Sequence, residues 1–148
     1  MDFESALALV QKAKEIGRAH AVEPSVAVLD AAGHPVLVAR GKEEAWHGPY
    51  MAAGKARLAA AFRKSTAALL EQWADRPLFA QSLTEVIPGG VTLNKGGYPL
   101  FSGGTCVGAI GVGGGSPDVD DQIARLASEA LYDPPPAKNK PKAKGKRA

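Results

Sequence analysis

The sequence predicts one α/β domain in which helices pack against a mainly antiparallel sheet. Three observations carry that expectation. The first twenty residues repeat apolar side chains at helical spacing, two pairs of short β-rich runs each enclose a glycine-containing connection, and a well-capped amphipathic helix follows the second pair. At 148 residues with 45% hydrophobic content, the chain has material for one proper core and no second one.

Phe3, Ala6, Leu7, Val10, Ala13 and Ile16 recur at steps of three and four, while Lys12, Lys14, Glu15 and Arg18 fill the opposite face. This spacing predicts a helix over roughly residues 3–20. SVAVLD, AAGH and PVLVAR then read as strand, turn and strand, a hairpin spanning Ser25 to Arg40. From Gly48 to Leu70 the chain is Ala-rich with apolar residues at helical spacing, and Ser65 and Thr66 offer a fresh N-cap, so two helices broken near Lys64 are expected. Residues 73–97 hold several turn formers and no sustained period, which predicts a loop-rich connection containing short strands.

YPLFSGG and TCVGAIGVGGG form the second strand pair, and the wholly apolar second member belongs in the middle of the sheet. In SPDVDDQIARLASEALY, Ser116 is placed to cap, Pro117 suits the first helical position, and Ile123, Leu126, Ala127 and Leu131 share a face. PPPAKNKPKAKGKRA has no apolar residue larger than Ala or Pro. It cannot bury enough surface to offset the entropy of ordering, so residues 134–148 are expected to be a disordered Lys/Pro-rich tail on a domain of residues 1–133.

The formal charge is +3, yet Lys138, Lys140, Lys142, Lys144, Lys146 and Arg147 all lie in that tail. The remaining 12 cations against 15 acids leave the body at −3, so any nucleic-acid attraction belongs to the tail alone. One cysteine, Cys106, forms no intramolecular disulfide and fits a reducing compartment. The N-terminus lacks the basic start and unbroken apolar run of a secretory signal, and no segment has the apolar length of a membrane span. A cytoplasmic protein is the expectation.

VAVLDAAGHPVLVAR, AAGKARLAAAF and GGYPLFSGGTCVGAIGVGGGSPDVDDQIA together resemble the GlcG/HbpS-like family, which includes the C-terminal domain of PduO-type proteins. The resemblance covers about residues 3–131. Its most specific part is Gly-Gly-x-Pro, then Val-Gly-Ala-Ile-Gly-Val, a glycine run, and an Asp before the last helix. It implies a profilin-like or PAS-like sandwich with a five-stranded antiparallel sheet, assembled as a homo-oligomer. It also implies a small-molecule ligand: some relatives bind haem, some are proposed to degrade it, and others serve small-molecule catabolism. Two departures fall in loops. Gly41, Lys42, Glu43 and Glu44 stand where relatives carry Met-Asp-Gly-Ala, and Gly113 replaces a usual Ser.

His47, between Trp46 and Gly48-Pro49, is suited to ligate haem iron or to act as an acid or base; the plain alternative is an exposed loop histidine. Arg40, Lys55 and Arg57 offer cations for a carboxylate. Lys55 lies in the Gly-Lys-Ala stretch shared with relatives, whereas Arg57 reads better as a solvated helix residue. Asp120 aligns with the family's Asp beside the glycine run and is a candidate general base. The resemblance adds Gly97 and Pro99 of the Gly-Gly-x-Pro motif to the ligand-binding set. The three histidines show no close spacing, so no metal motif is read.

GAIGVGGGSP lacks the Lys-Ser/Thr ending and Rossmann spacing of phosphate loops, and Asp118, Asp120 and Asp121 repel phosphate while complementing the helix dipole. No Gly-x-Ser-x-Gly elbow exists, and Cys106 sits in an apolar strand, so a serine or cysteine hydrolase is not expected. Two functions stay open. One is a binding protein for haem or another small planar ligand with His47 as its contact. The other is a cofactor-free tautomerase, hydrolase or dehalogenase acting on a small unsaturated or hydroxylated acid in a catabolic pathway. There Arg40 and Lys55 would grip the carboxylate while His47 or Asp120 moves a proton.

Overall fold

The fold is that of a computed structural model, described over residues 1–138. Helix α1 runs Phe3–Ala19, with Asp2 Oδ1 accepting from the Ser5 N–H at 2.8 Å as its cap. Strands β1 (Ser25–Asp30) and β2 (Pro35–Ala39) form the expected hairpin. Its turn is closed by Asp30, whose Oδ1 accepts from the Ala32 and His34 N–H groups, each at 2.9 Å. Gly33 there takes φ +86°, a conformation costly for any side chain.

Helices α2 (Gly48–Phe62) and α3 (Thr66–Gln72) break at Arg63, Lys64 and Ser65, and Ser65 Oγ caps α3 by accepting from the Ala68 N–H. Helix α4 (Pro77–Val86) lies in the stretch for which the sequence predicts loop and short strands. Pro77 at its start, Ala80 and Leu83 one turn apart, and the Gly89-Gly90 stop define a helix too short to establish a period by itself. Tertiary packing holds it: Ala80 and Leu83 join Leu58, Leu69 and Trp73 in a small core, and the Trp73 ring meets Phe62 and Phe79 edge-on at 4.9 and 5.4 Å.

Strands β3 (Gly97–Ser102) and β4 (Thr105–Gly113) make the second hairpin, and α5 (Pro117–Leu131) follows with Ser116 as its cap. The sheet order is β2-β1-β4-β3, antiparallel throughout, with apolar β4 in the interior as expected. Helices α1 and α5 cover one face, where Leu9, Val26, Val28, Leu100, Ile110, Val112 and Ile123 form the main core. Helix α2 covers the other. Ala52, Ala56 and Ala59 meet Ala27 and Ala109 there, and a Cβ on Gly111 would collide with the Ala52 carbonyl. Small side chains on both surfaces bring this helix very close to the sheet.

The described residues contain four strands in place of the five expected. The outer edge of β3 is closed by other means. The Gly97 N–H donates to Thr66 Oγ1 at 3.0 Å, Pro99 has no N–H, and Phe101 O accepts from the Asp133 N–H at 3.0 Å in a one-residue bridge. Beyond α5, residues 134–138 form no helix or strand, and the remainder of the predicted tail lies outside the described residues. No helix among the described residues is long and apolar enough to cross a membrane.

Candidate functional site

At one end of the sheet, the start of α2, the end of β4 and the start of α5 enclose a cleft of about 300 Å³. It collects three residues singled out from the sequence: His47, Lys55 and Asp120. Lys55 projects from the α2 face that packs on the sheet and is only 2% exposed. Its Nζ donates to Val112 O at 2.8 Å and to Asp120 Oδ2 at 3.0 Å. The other carboxylate oxygen, Oδ1, accepts from the Gly115 N–H at 2.8 Å. One side-chain pair thus ties α2, the end of β4, the glycine run and α5 together.

Burial pushes the Asp120 carboxyl above its ordinary value, and the Lys55 charge and the Gly115 N–H pull it partly back. Asp121 is raised in the same way, chiefly by burial, and its Oδ1 has no hydrogen-bond partner among the described residues. Of the three ammonium N–H groups of Lys55, two are engaged by protein acceptors. The backbone makes room for this arrangement at Gly96, which takes φ +117°; a Cβ there would stand 2.7 Å from Val112 O and 3.1 Å from Lys55 Nζ.

His47 occupies the N-cap position of α2, exposed and without a side-chain capping bond. Its ring stands 5.9 Å from that of Trp46 at 90°, and Trp46 lies 6.4 Å from Tyr50. Trp46 and Tyr50 are 67% and 74% exposed, so a wet aromatic surface adjoins the histidine. The other two histidines have partners: His20 Nδ1 lies 3.0 Å from Ile16 O, and His34 Nδ1 lies 3.4 Å from Asp30 Oδ2.

The remaining candidates lie outside this cleft. Arg40 is exposed just past β2 and is not among the lining residues. Gly97 is buried, and a Cβ on it would strike the Lys55 carbonyl, so it serves close packing of α2 on β3. Pro99 lines a different cleft beside α3. Arg57 is no free helix residue: its Nη1 donates to Gly89 O at 3.1 Å and Gly90 O at 2.7 Å, pinning the turn after α4.

Sequence reasoning passed over Ser25 and Asn94, which also line the cleft, together with Lys42 and Gly113 from the two loops that depart from the family pattern. Ser25 carried a readable signal, a polar residue opening a strand whose next four residues are apolar. It is 2% exposed, and its Oγ accepts from the Gly41 N–H at 3.0 Å. At Gly113 the replaced Ser of relatives would be accommodated, since a Cβ there finds its nearest neighbour at 3.6 Å. No cluster of metal-ligating side chains occurs among the described residues.

The family model described as "Haem degrading protein HbpS-like" matches residues 1–129. Among solved structures, a double mutant of Streptomyces reticuli HbpS is similar to this chain at 28% identity and a TM-score of 0.78, covering 90% of this chain and 88% of that one. The PduOC:heme complex is similar at 27% identity and a TM-score of 0.76, covering 88% and 94%. The Klebsiella pneumoniae protein ORFY shares the fold at 21% identity and a TM-score of 0.78, covering 88% and 90%. No curated protein matches. With the family model spanning most of the chain, the chain belongs to the haem degrading protein HbpS-like family.

Proposed function

We propose that this chain is a small-ligand-binding protein whose ligand is haem, held through the His47 imidazole. The observation that carries the reading is the exposed, uncapped His47 beside Trp46 and Tyr50 at the edge of the cleft. Family membership and the likeness to a PduOC:heme complex support it. The residues fit the group at the cleft's edge better than inside it. The edge offers an imidazole and two aromatic rings, whereas the 300 Å³ interior ends on a lysine and an aspartate already paired with each other.

Each residue then has a distinct task. His47 supplies a nitrogen ligand, Trp46 and Tyr50 supply flat apolar contact, and Lys42 at the lip is a cation suited to a carboxylate of the ligand. The Lys55–Asp120 pair fixes the relative position of α2 and α5 on either side of the opening. Bound haem would supply redox and dioxygen chemistry. Titration of the full chain with haem, followed in the visible spectrum, tests the reading: a saturable Soret shift supports it, and an unchanged spectrum of free haem overturns it.

The Lys55–Asp120 pair also favours a second reading, a cofactor-free enzyme for a small acid. Lys55 keeps one N–H for a substrate oxygen, and His47 lines the same cleft for proton transfer. Arg40 lies outside the lining, so Lys55 and Lys42 would have to do the gripping.

A further inference from the structure

A second cleft, of about 530 Å³, lies between α3, β3 and the segment after α5, and it shares no lining residue with the first. The segment reaches it because Asp133 is fastened to the edge of the sheet: its N–H donates to Phe101 O at 3.0 Å, and its Oδ2 accepts from the Gly103 N–H at 2.8 Å. Arg63, Lys64 and Lys138 line the cleft against a single acid, Glu71. In a body whose charge is otherwise negative, three cations from two distant parts of the chain meet here.

Arg63 occupies the left-handed region, φ 54° and ψ 38°, at the end of α2, where glycine or asparagine is the ordinary choice. A cation there complements the helix dipole, which accounts for Arg63 but not for Lys64 and Lys138 beside it. Lys64 is oriented by Gln72, whose Oε1 accepts from Nζ at 2.8 Å, leaving two N–H groups for another partner. Neither Arg63 nor Lys64 pairs with a carboxylate among the described residues. Pro99 gives the β3 side of the cleft an apolar ring opposite Ala68 of α3, while the Tyr98 ring packs with the core on the other face of the sheet and reaches the cleft only at the β3 edge.

We propose that this second cleft binds a small organic acid, a carboxylate carried on a flat apolar body. The planar Arg63 fork suits a carboxylate through two parallel hydrogen bonds, and Lys64 adds a point charge. The Pro99 ring and the Ala68 methyl take the flat body, a contact that inorganic phosphate or acetate does not make. The volume lies within the range of small-molecule sites.

The test is calorimetric titration of the full chain at low salt with benzoate, acetate and inorganic phosphate as probes. Saturable benzoate binding is expected, with acetate and phosphate weaker. Arg63→Gly removes the fork at a position whose backbone glycine adopts readily, so the thermal midpoint should hold while benzoate affinity falls by about tenfold or more. Arg63→Lys should fall between the two, keeping charge without the fork. Absence of saturable benzoate binding, equal affinity for acetate, or undiminished binding in Arg63→Gly would each overturn the proposal. Loss of benzoate binding in His47→Ala would do so too, by placing the probe in the first cleft.

Discussion

Lys55 Nζ and Asp120 Oδ2 stand 3.0 Å apart, 65 residues distant in sequence, with both side chains almost wholly removed from water. Such a pair contributes little net stability if it forms, because desolvating two charges offsets much of their attraction. Losing one member is another matter. The surviving charge stays buried without its partner, and the four segments that meet at the pair lose their common anchor.

Asp120→Ala is therefore expected to destabilise the fold by about 3–5 kcal/mol, the range for breaking a buried pair on one side. Lys55→Met combined with Asp120→Ala should lie closer to the native value than Asp120→Ala alone, since no uncompensated charge remains. Urea unfolding of the single and double variants measures both. A double variant as unstable as the sum of its singles would show that the two residues act independently.

The pH dependence follows from the same corner of the molecule. Burial raises Asp120 and Asp121 above the ordinary carboxyl value of 3.8, so each holds its proton in the folded chain over a window just above 3.8 where the unfolded chain has released it. The folded state binds more protons there, and this part of the stability falls as pH rises through the window, being complete at and below 3.8. Asp2 and Asp30, lowered mainly by backbone N–H groups of Ser5 and His34, act oppositely: their part is complete above 3.8 and is lost as pH falls. Asp121→Asn should flatten the decline above 3.8, as measured by denaturant unfolding at a series of pH values.

The sequence announces its elements wherever the local signal is complete. Asp30 and Gly33 define the first hairpin, Ser65 the start of α3, and Ser116 with Pro117 the start of α5, and each of these devices acts within four residues. Helix α4 is less legible because its apolar contacts, Ala80 and Leu83, gain meaning only against Leu58 and Trp73. The site divides along the same line. His47, Lys55 and Asp120 show their chemistry by residue type, but that Arg40 lies apart from them, and that Gly97 packs under Lys55, depends on how the hairpin and α2 meet.

Close packing of α2 on the sheet gives a further prediction. A Cβ on Gly111 would collide with the Ala52 carbonyl and stand 2.8 Å from the Ala56 nitrogen, both of them backbone atoms of a helix. Neither atom can rotate away. Gly111→Ala is expected to cost about 1–3 kcal/mol or more, the usual range for overpacking. Gly103→Ala is a useful contrast, because a Cβ there meets nothing within 4 Å and the cost should come only from its φ of +56°. Thermal unfolding compares them: Gly111→Ala should lower the midpoint more.

The histidines decide the function. His20 and His34 already have neighbours that engage their rings, the Ile16 carbonyl and the Asp30 carboxylate, and neither lines the cleft. His47 lines it, carries no capping bond and is flanked by aromatic surface. His47→Ala should therefore abolish the Soret shift on haem addition, while His20→Ala and His34→Ala leave it intact. Trp46→Ala should weaken haem binding without abolishing the shift, since it removes stacking area and leaves the ligand nitrogen. If the chain instead turns over a small acid, His47→Ala should lower turnover by roughly 10²- to 10⁴-fold, the contribution of a positioned proton-transfer group. Lys42→Ala would then chiefly raise KM, because the carboxylate contact it removes is made in both ground and transition states. A His47→Ala protein that keeps its haem affinity and any such turnover would reduce this residue to an ordinary loop histidine and move the search to Lys55 and Asp120 at the floor of the cleft.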